Sequence, residues 1–144
     1  MRKVLLIVSL NMMILTLCAK SSKFNWNPVM DAIIQVESEG NPKAVSGNSV
    51  GVMQITPILV EECNNILKKQ KSKKRFTLAD RYSVEKSKEM FLLIQSYHNP
   101  TNSIEKAIRS WNGGIRYSVR ATNRYYKKVM NKMSKRPKMT YCGD

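Results

Sequence analysis

Histidine is almost missing from this chain. His98 is the only one in 144 residues, and the three cysteines, Cys18, Cys63 and Cys142, stand far apart. A structural zinc site needs four clustered Cys or His ligands, so no metal is expected, and no other cofactor either. Acidic residues are also scarce: ten Asp and Glu face 25 Lys and Arg, for a formal net charge of +15. Such an excess draws a protein toward anionic surfaces. The densest basic block, Lys68 to Arg75, lacks apolar periodicity and interleaved aromatics, so it reads as an exposed linker between helices and argues against nucleic acid as a partner. No internal repeat is visible and no second domain, which at this length leaves room for one core.

Long apolar runs are absent except at the start. Met1-Arg2-Lys3 precedes an uncharged stretch from Val4 to Leu17, which is short for a membrane span but has the layout of a secretory leader. The expected division is a signal peptide at 1–19, a domain at 24–133 and a basic C-terminal tail at 134–144. Processing has two candidate sites. Leu15-Thr16-Leu17-Cys18 resembles a lipobox with Leu in place of the usual Gly or Ala before the Cys, whereas Ala19-Lys20-Ser21 offers a small-residue cleavage signal. Lipidation at Cys18 would then be the route to a membrane, and an uncleaved anchor is a third alternative. With Cys18 lost or acylated, Cys63 and Cys142 remain as a pair that an oxidising compartment could join, closing a loop worth roughly 4 kcal/mol on the entropic account. Two free buried thiols are the equal alternative.

What is present is helical in pattern. Asn27-Pro28 signals a helix start and Gly40 a stop. Between them Met30, Ile33, Ile34 and Glu37 fall at i, i+3, i+4 and i+7, so Glu37 extends the core-facing stripe. Burial there disfavours the carboxylate and raises the pKa, which is what a general acid needs near neutral pH. Asp31 lies off that face, and Glu39 points elsewhere. Further helices are expected from Thr56-Pro57, from Ser83 to Asn99-Pro100, from Asn102-Ser103 to Gly113-Gly114 and from Val119 to Met133. The polar, Gly-rich run between Gly40 and Gly51 reads as a loop or short hairpin.

Four segments carry a resemblance. Glu37-Ser38 with Asn41-Pro42-Lys43-Ala44-Val45-Ser46, then Gly51-Val52-Met53-Gln54-Ile55-Thr56-Pro57, resemble the first two motifs of the soluble lytic transglycosylases, lysozyme-like enzymes that cleave peptidoglycan. Ala107 to Gly114 resembles the third motif, with Trp111 in place of Tyr and Gly113 in place of Ala. Thr122 to Val129 resembles the closing helix of the family. The resemblance implies a mostly α, lysozyme-like fold of the goose-type lysozyme or SLT catalytic-domain kind, with a short loop or hairpin flanking a cleft.

It also implies roles. Glu37 is the catalytic acid; Ser38 and Gln54 are polar supports; Ser46 is a loop-fixing hydroxyl; Met53 packs against sugar faces; Gly51 lets the backbone approach substrate. Asn112 presents an amide to the sugar or to the Glu37 loop, and Tyr125 hydrogen-bonds near Glu37. Trp111 is as well explained as a core aromatic as by sugar stacking. Most glycosidases pair two carboxylates, yet no second acid here joins a motif setting to an inward face, and a lytic transglycosylase needs only one. The expected product is a 1,6-anhydro-muramoyl end, made in the periplasm or cell envelope by a monomer acting on peptidoglycan strands. A small single domain of this kind also resembles the transglycosylases that open local gaps for conjugation or secretion machinery. The alternatives are a hydrolytic muramidase with one catalytic Glu, or a non-catalytic basic protein that binds glycan or membrane.

Overall fold

The computed structural model describes residues 23–135. The leader, Cys18, Cys142 and the tail beyond Lys135 lie outside the described residues, and with them the lipidation and disulfide expectations. The chain is mostly helical: α1 (Asn27–Ser38), a hairpin of β1 (Val45–Ser46) and β2 (Ser49–Val50), α2 (Pro57–Lys69), a 3-10 turn (Leu78–Tyr82), α3 (Val84–His98), α4 (Ile104–Gly113) and α5 (Val119–Ser134). The strands pair antiparallel, Val45 opposite Val50 and Ser46 opposite Ser49. Among the described residues no helix is long and apolar enough to cross a membrane.

Local signals explain most boundaries. Thr56 caps α2 by accepting from the Leu59 N–H at 3.3 Å, and Ser83, Ser103 and Ser118 cap α3, α4 and α5 in the same way. The start of α1 departs from expectation. Asn27 is its first residue, and its N–H is taken by the Asn25 side chain at 3.1 Å, while Trp26 occupies the cap position without capping and buries its ring. Core packing of that indole sets where the chain turns, so the capping carboxamide comes from two residues earlier. Glu39 and Gly40, both at positive φ, end the helix.

The basic block is also divided differently. Lys68 and Lys69 belong to the last turn of α2, where cations complement the helix dipole, and only the remainder is linker. That linker is anchored. Asn64 on α2 clamps Phe76 through both backbone groups, at 2.9 and 2.8 Å, and buries its ring.

The core gathers Val29, Met30 and Ile33 of α1 with Phe91, Ile108 and Val129. Aromatic rings run through it in a chain, Phe24 to Trp26 to Phe91 to Trp111, at centroid spacings of 4.6, 5.7 and 5.2 Å. The most extensive helix contacts join α5 to α4 and to α1. Packing of α5 against the end of α1 is what brings its inner face to Glu37.

Candidate active site

Glu37 ends the apolar stripe of α1 half-buried, under the hairpin on one side and α5 on the other. Burial raises its carboxyl above the ordinary range, and the Tyr125 phenol pulls it partly back by donating to Oε1 at 2.6 Å. Burial also raises the Tyr125 hydroxyl, as does the Glu37 charge beside it, so the phenol stays a donor. The two residues are 88 positions apart in sequence.

Next to Glu37 the hairpin and the segment after it are held by side chains from outside the two strands. The Ser38 hydroxyl donates to the Val52 carbonyl at 2.8 Å and accepts from the Gly40 N–H, tying the end of α1 to the segment after the hairpin. Gln54 sits at φ 51, a cost for a residue with a Cβ, and its amide donates to the Gly51 carbonyl at 3.0 Å and the Ala44 carbonyl at 3.3 Å. Trp111 donates from its indole to the Met53 carbonyl at 3.1 Å while its ring tilts against Phe91. It is therefore both a core aromatic and a wall of the cleft.

That cleft, about 220 Å³, is lined by Glu37, Ser46, Ser49, Gln54, Thr56, Leu59, Trp111 and Asn112. Among the described residues Glu37 is its only acid. Asn112 is exposed on its wall, and among the described residues its carboxamide makes no hydrogen bond to the protein, the Glu37 loop included.

At three of the expected residues the structure shows other contacts. Met53 is 0 % exposed, packed with Val52 and Ile55 in the core, so its side chain cannot meet a sugar; it contributes a carbonyl to Trp111 instead. Gly51 does admit a close backbone approach, but from within: a Cβ there would lie 1.9 Å from the Arg81 carbonyl. Its φ of 79 favours glycine independently. The Ser46 hydroxyl makes no hydrogen bond among the described residues, so this side chain lines the cleft without fixing the loop. Fixing falls to Arg81, whose guanidinium donates to the Asn48 and Ile55 carbonyls at 3.1 and 3.2 Å.

The family model described as the transglycosylase SLT domain matches residues 15–134. The chain belongs to that family. No curated protein and no solved structure matches it. SLT domains are glycan-cleaving domains of the transglycosylase type that act on peptidoglycan, in the cell envelope, and the mostly helical architecture agrees with their lysozyme-like fold.

Within this SLT domain several cleft residues escaped sequence reasoning. Ser49 was hidden in a polar loop. Thr56 carried only a helix-start signal, and Leu59 an apolar stripe; both are true locally, yet both residues also face the cleft. Among the described residues Cys63 is a buried thiol without a disulfide partner, pushed up to about 12 by burial and then by the Glu62 charge, and takes no part in the site. Among the described residues no cluster of three or more His, Cys, Asp or Glu could hold a metal ion.

Proposed function

We propose that this SLT domain is exported to the periplasm or cell envelope and cleaves the β-1,4 bond between N-acetylmuramic acid and N-acetylglucosamine, leaving a 1,6-anhydro-muramoyl end. The observation that carries the reading is a single carboxyl in the cleft, raised by burial and hydrogen-bonded by Tyr125, with no second acid lining it among the described residues. Among the described residues the cleft offers no second member for the carboxylate pair usual in glycosidases.

In the proposed reaction Tyr125 occupies Oε1 and leaves Oε2 of Glu37 to carry the proton. Glu37 gives that proton to the glycosidic oxygen as the bond to muramoyl C1 breaks, and N-acetylglucosamine departs with a free 4-hydroxyl. The N-acetyl group of the muramoyl residue steadies the electron-poor C1. The C6 hydroxyl then bonds to C1, its proton returns to Glu37, and no water is consumed. While Glu37 is a carboxylate, the Tyr125 donor stabilises it. Asn112 supplies a free amide to the sugar, and the Trp111 ring supplies an apolar wall.

The test is mass spectrometry of muropeptides released from purified peptidoglycan by the wild-type chain and by Glu37→Gln. The expected outcome is anhydro ends from the wild type and a loss of about 10²- to 10⁴-fold in release rate by the variant. Reducing ends in their place would mean that water enters the second step, a muramidase; no release by either protein would move the reading to glycan binding. Local wall opening beside a conjugation or secretion apparatus is the cellular role this small domain fits.

A further inference from the structure

Beside the cleft, and sharing Thr56, Leu59, Trp111 and Asn112 with it, lies a second and larger pocket of about 390 Å³ between α2, α3 and the end of α4. Its chemistry differs from that of a sugar site. Ile58, Leu59, Ile94 and Ile115 form much of the wall, and Ile58 and Ile115 stand 78 % and 55 % exposed at its rim. Pyranose rings present hydroxyls around their edges, which such a wall would strip of water without replacing the lost hydrogen bonds.

The inner end of the pocket is polar and incomplete. Gln95 is 1 % exposed, and its Nε2 is the single buried side-chain polar atom without a partner among the described residues, although its Oε1 is taken by Asn99 at 3.1 Å. A buried amide donor left unpaired is costly, and an acceptor that arrives with a ligand would satisfy it. Lys106 lines the same pocket, and its ammonium makes no ion pair among the described residues. His98, the other basic residue of the wall, is already engaged by Glu62 at 2.8 Å.

We propose that this pocket receives the stem peptide carried by the muramoyl residue, its methyl groups on the isoleucine wall, a peptide carbonyl on the Gln95 amide and a carboxylate on Lys106. A short peptide of alanine and acidic residues supplies each of those groups, and the lactyl link attaches it to a glycan seated in the adjoining cleft. The identity of the ligand rests on the peptidoglycan reading given above. Substrate choice follows: strands that bear peptides are preferred over bare glycan.

Two measurements decide it. In the first, a synthetic stem tetrapeptide is titrated into the isotope-labelled chain, with Lys106→Glu and Ile115→Asp as variants at accessible positions. Saturable movement of the Gln95 side-chain amide signals is expected, weakened at least tenfold in either variant; no movement overturns the proposal, whatever the activity. In the second, kcat/KM is compared on peptide-bearing strands and on strands stripped by an amidase. A ratio of at least ten for the wild type, pulled toward one in both variants, is expected. A wild-type ratio near one, or a ratio the variants leave unchanged, overturns the proposal while leaving the lytic reaction intact. Peptide binding without cleavage of either strand would instead overturn the lytic reaction and keep the pocket.

Discussion

The Glu37–Tyr125 pair carries opposite demands in one hydrogen bond. Burial favours the neutral acid that the proposed first step consumes, and the phenol favours the carboxylate that the proposed second step requires. Tyr125→Phe removes the influence that holds the Glu37 pKa down. Because the acid must be protonated, activity declines as pH rises through that pKa, so the descending limb of kcat/KM should move to higher pH in the variant. The rate at the optimum should fall about tenfold or more, since a charge-assisted bond to a buried carboxylate is lost; a pH–rate profile checks both. Stability carries the same sign. A folded-state pKa above the unfolded one means that the native state holds the extra proton, so wild-type stability falls as pH rises from the unfolded value through the folded one. Glu37→Gln lacks that slope. Thermal unfolding across pH should therefore show the variant gaining on the wild type above the carboxyl's titration, with the gain absent below it.

Among the elements, the junction of α4 and α5 decides whether Tyr125 reaches its partner. Arg109, buried on α4, donates to the Val119 carbonyl and the Thr122 hydroxyl at 3.0 and 3.2 Å and lays its guanidinium 4.3 Å from the centre of the Tyr126 ring. At the end of α4 the family's usual Ala is replaced by Gly113, and the packing supplies the reason: a Cβ there would lie 2.7 Å from Thr122 Cγ2 and 2.9 Å from Tyr117 Cβ. Restoring the family residue should thus harm this protein. Gly113→Ala is expected to destabilise by about 1–3 kcal/mol as an overpacked contact. Thr122→Ser removes the methyl and keeps the hydroxyl that Arg109 uses, so the double variant should recover part of the loss; denaturant midpoints of the four proteins measure the coupling.

Across the whole molecule the charge is the dominant property. With +15 spread over 144 residues and an α5 that contains five cations and no acid, attraction to an anionic polymer is long-ranged and screened by salt. Binding of Glu37→Gln to purified sacculi should weaken several-fold between low salt and about 0.5 M, where the Debye length shrinks below the spacing of surface charges. Salt-independent binding in a co-sedimentation assay would mean that contacts in the cleft and pocket carry the affinity alone.

Local interactions are written in neighbouring residues, and those the sequence determined by itself. Thr56-Pro57 and Ser103 start helices because a hydroxyl reaches an N–H three residues on, and the period of Met30, Ile33, Ile34 and Glu37 places the acid on an inward face whatever the rest of the chain does. The ordered motifs likewise identified the family. Packing between distant segments decided the rest. No periodicity says that Met53 turns into the core while Gln54 turns to the cleft, that the partner closing on Gly51 is the Arg81 carbonyl, or that Gln95 is left without an acceptor beside an isoleucine wall. Each depends on where α3, α4 and α5 come to rest against α1, and close packing of side chains far apart in sequence sets that arrangement.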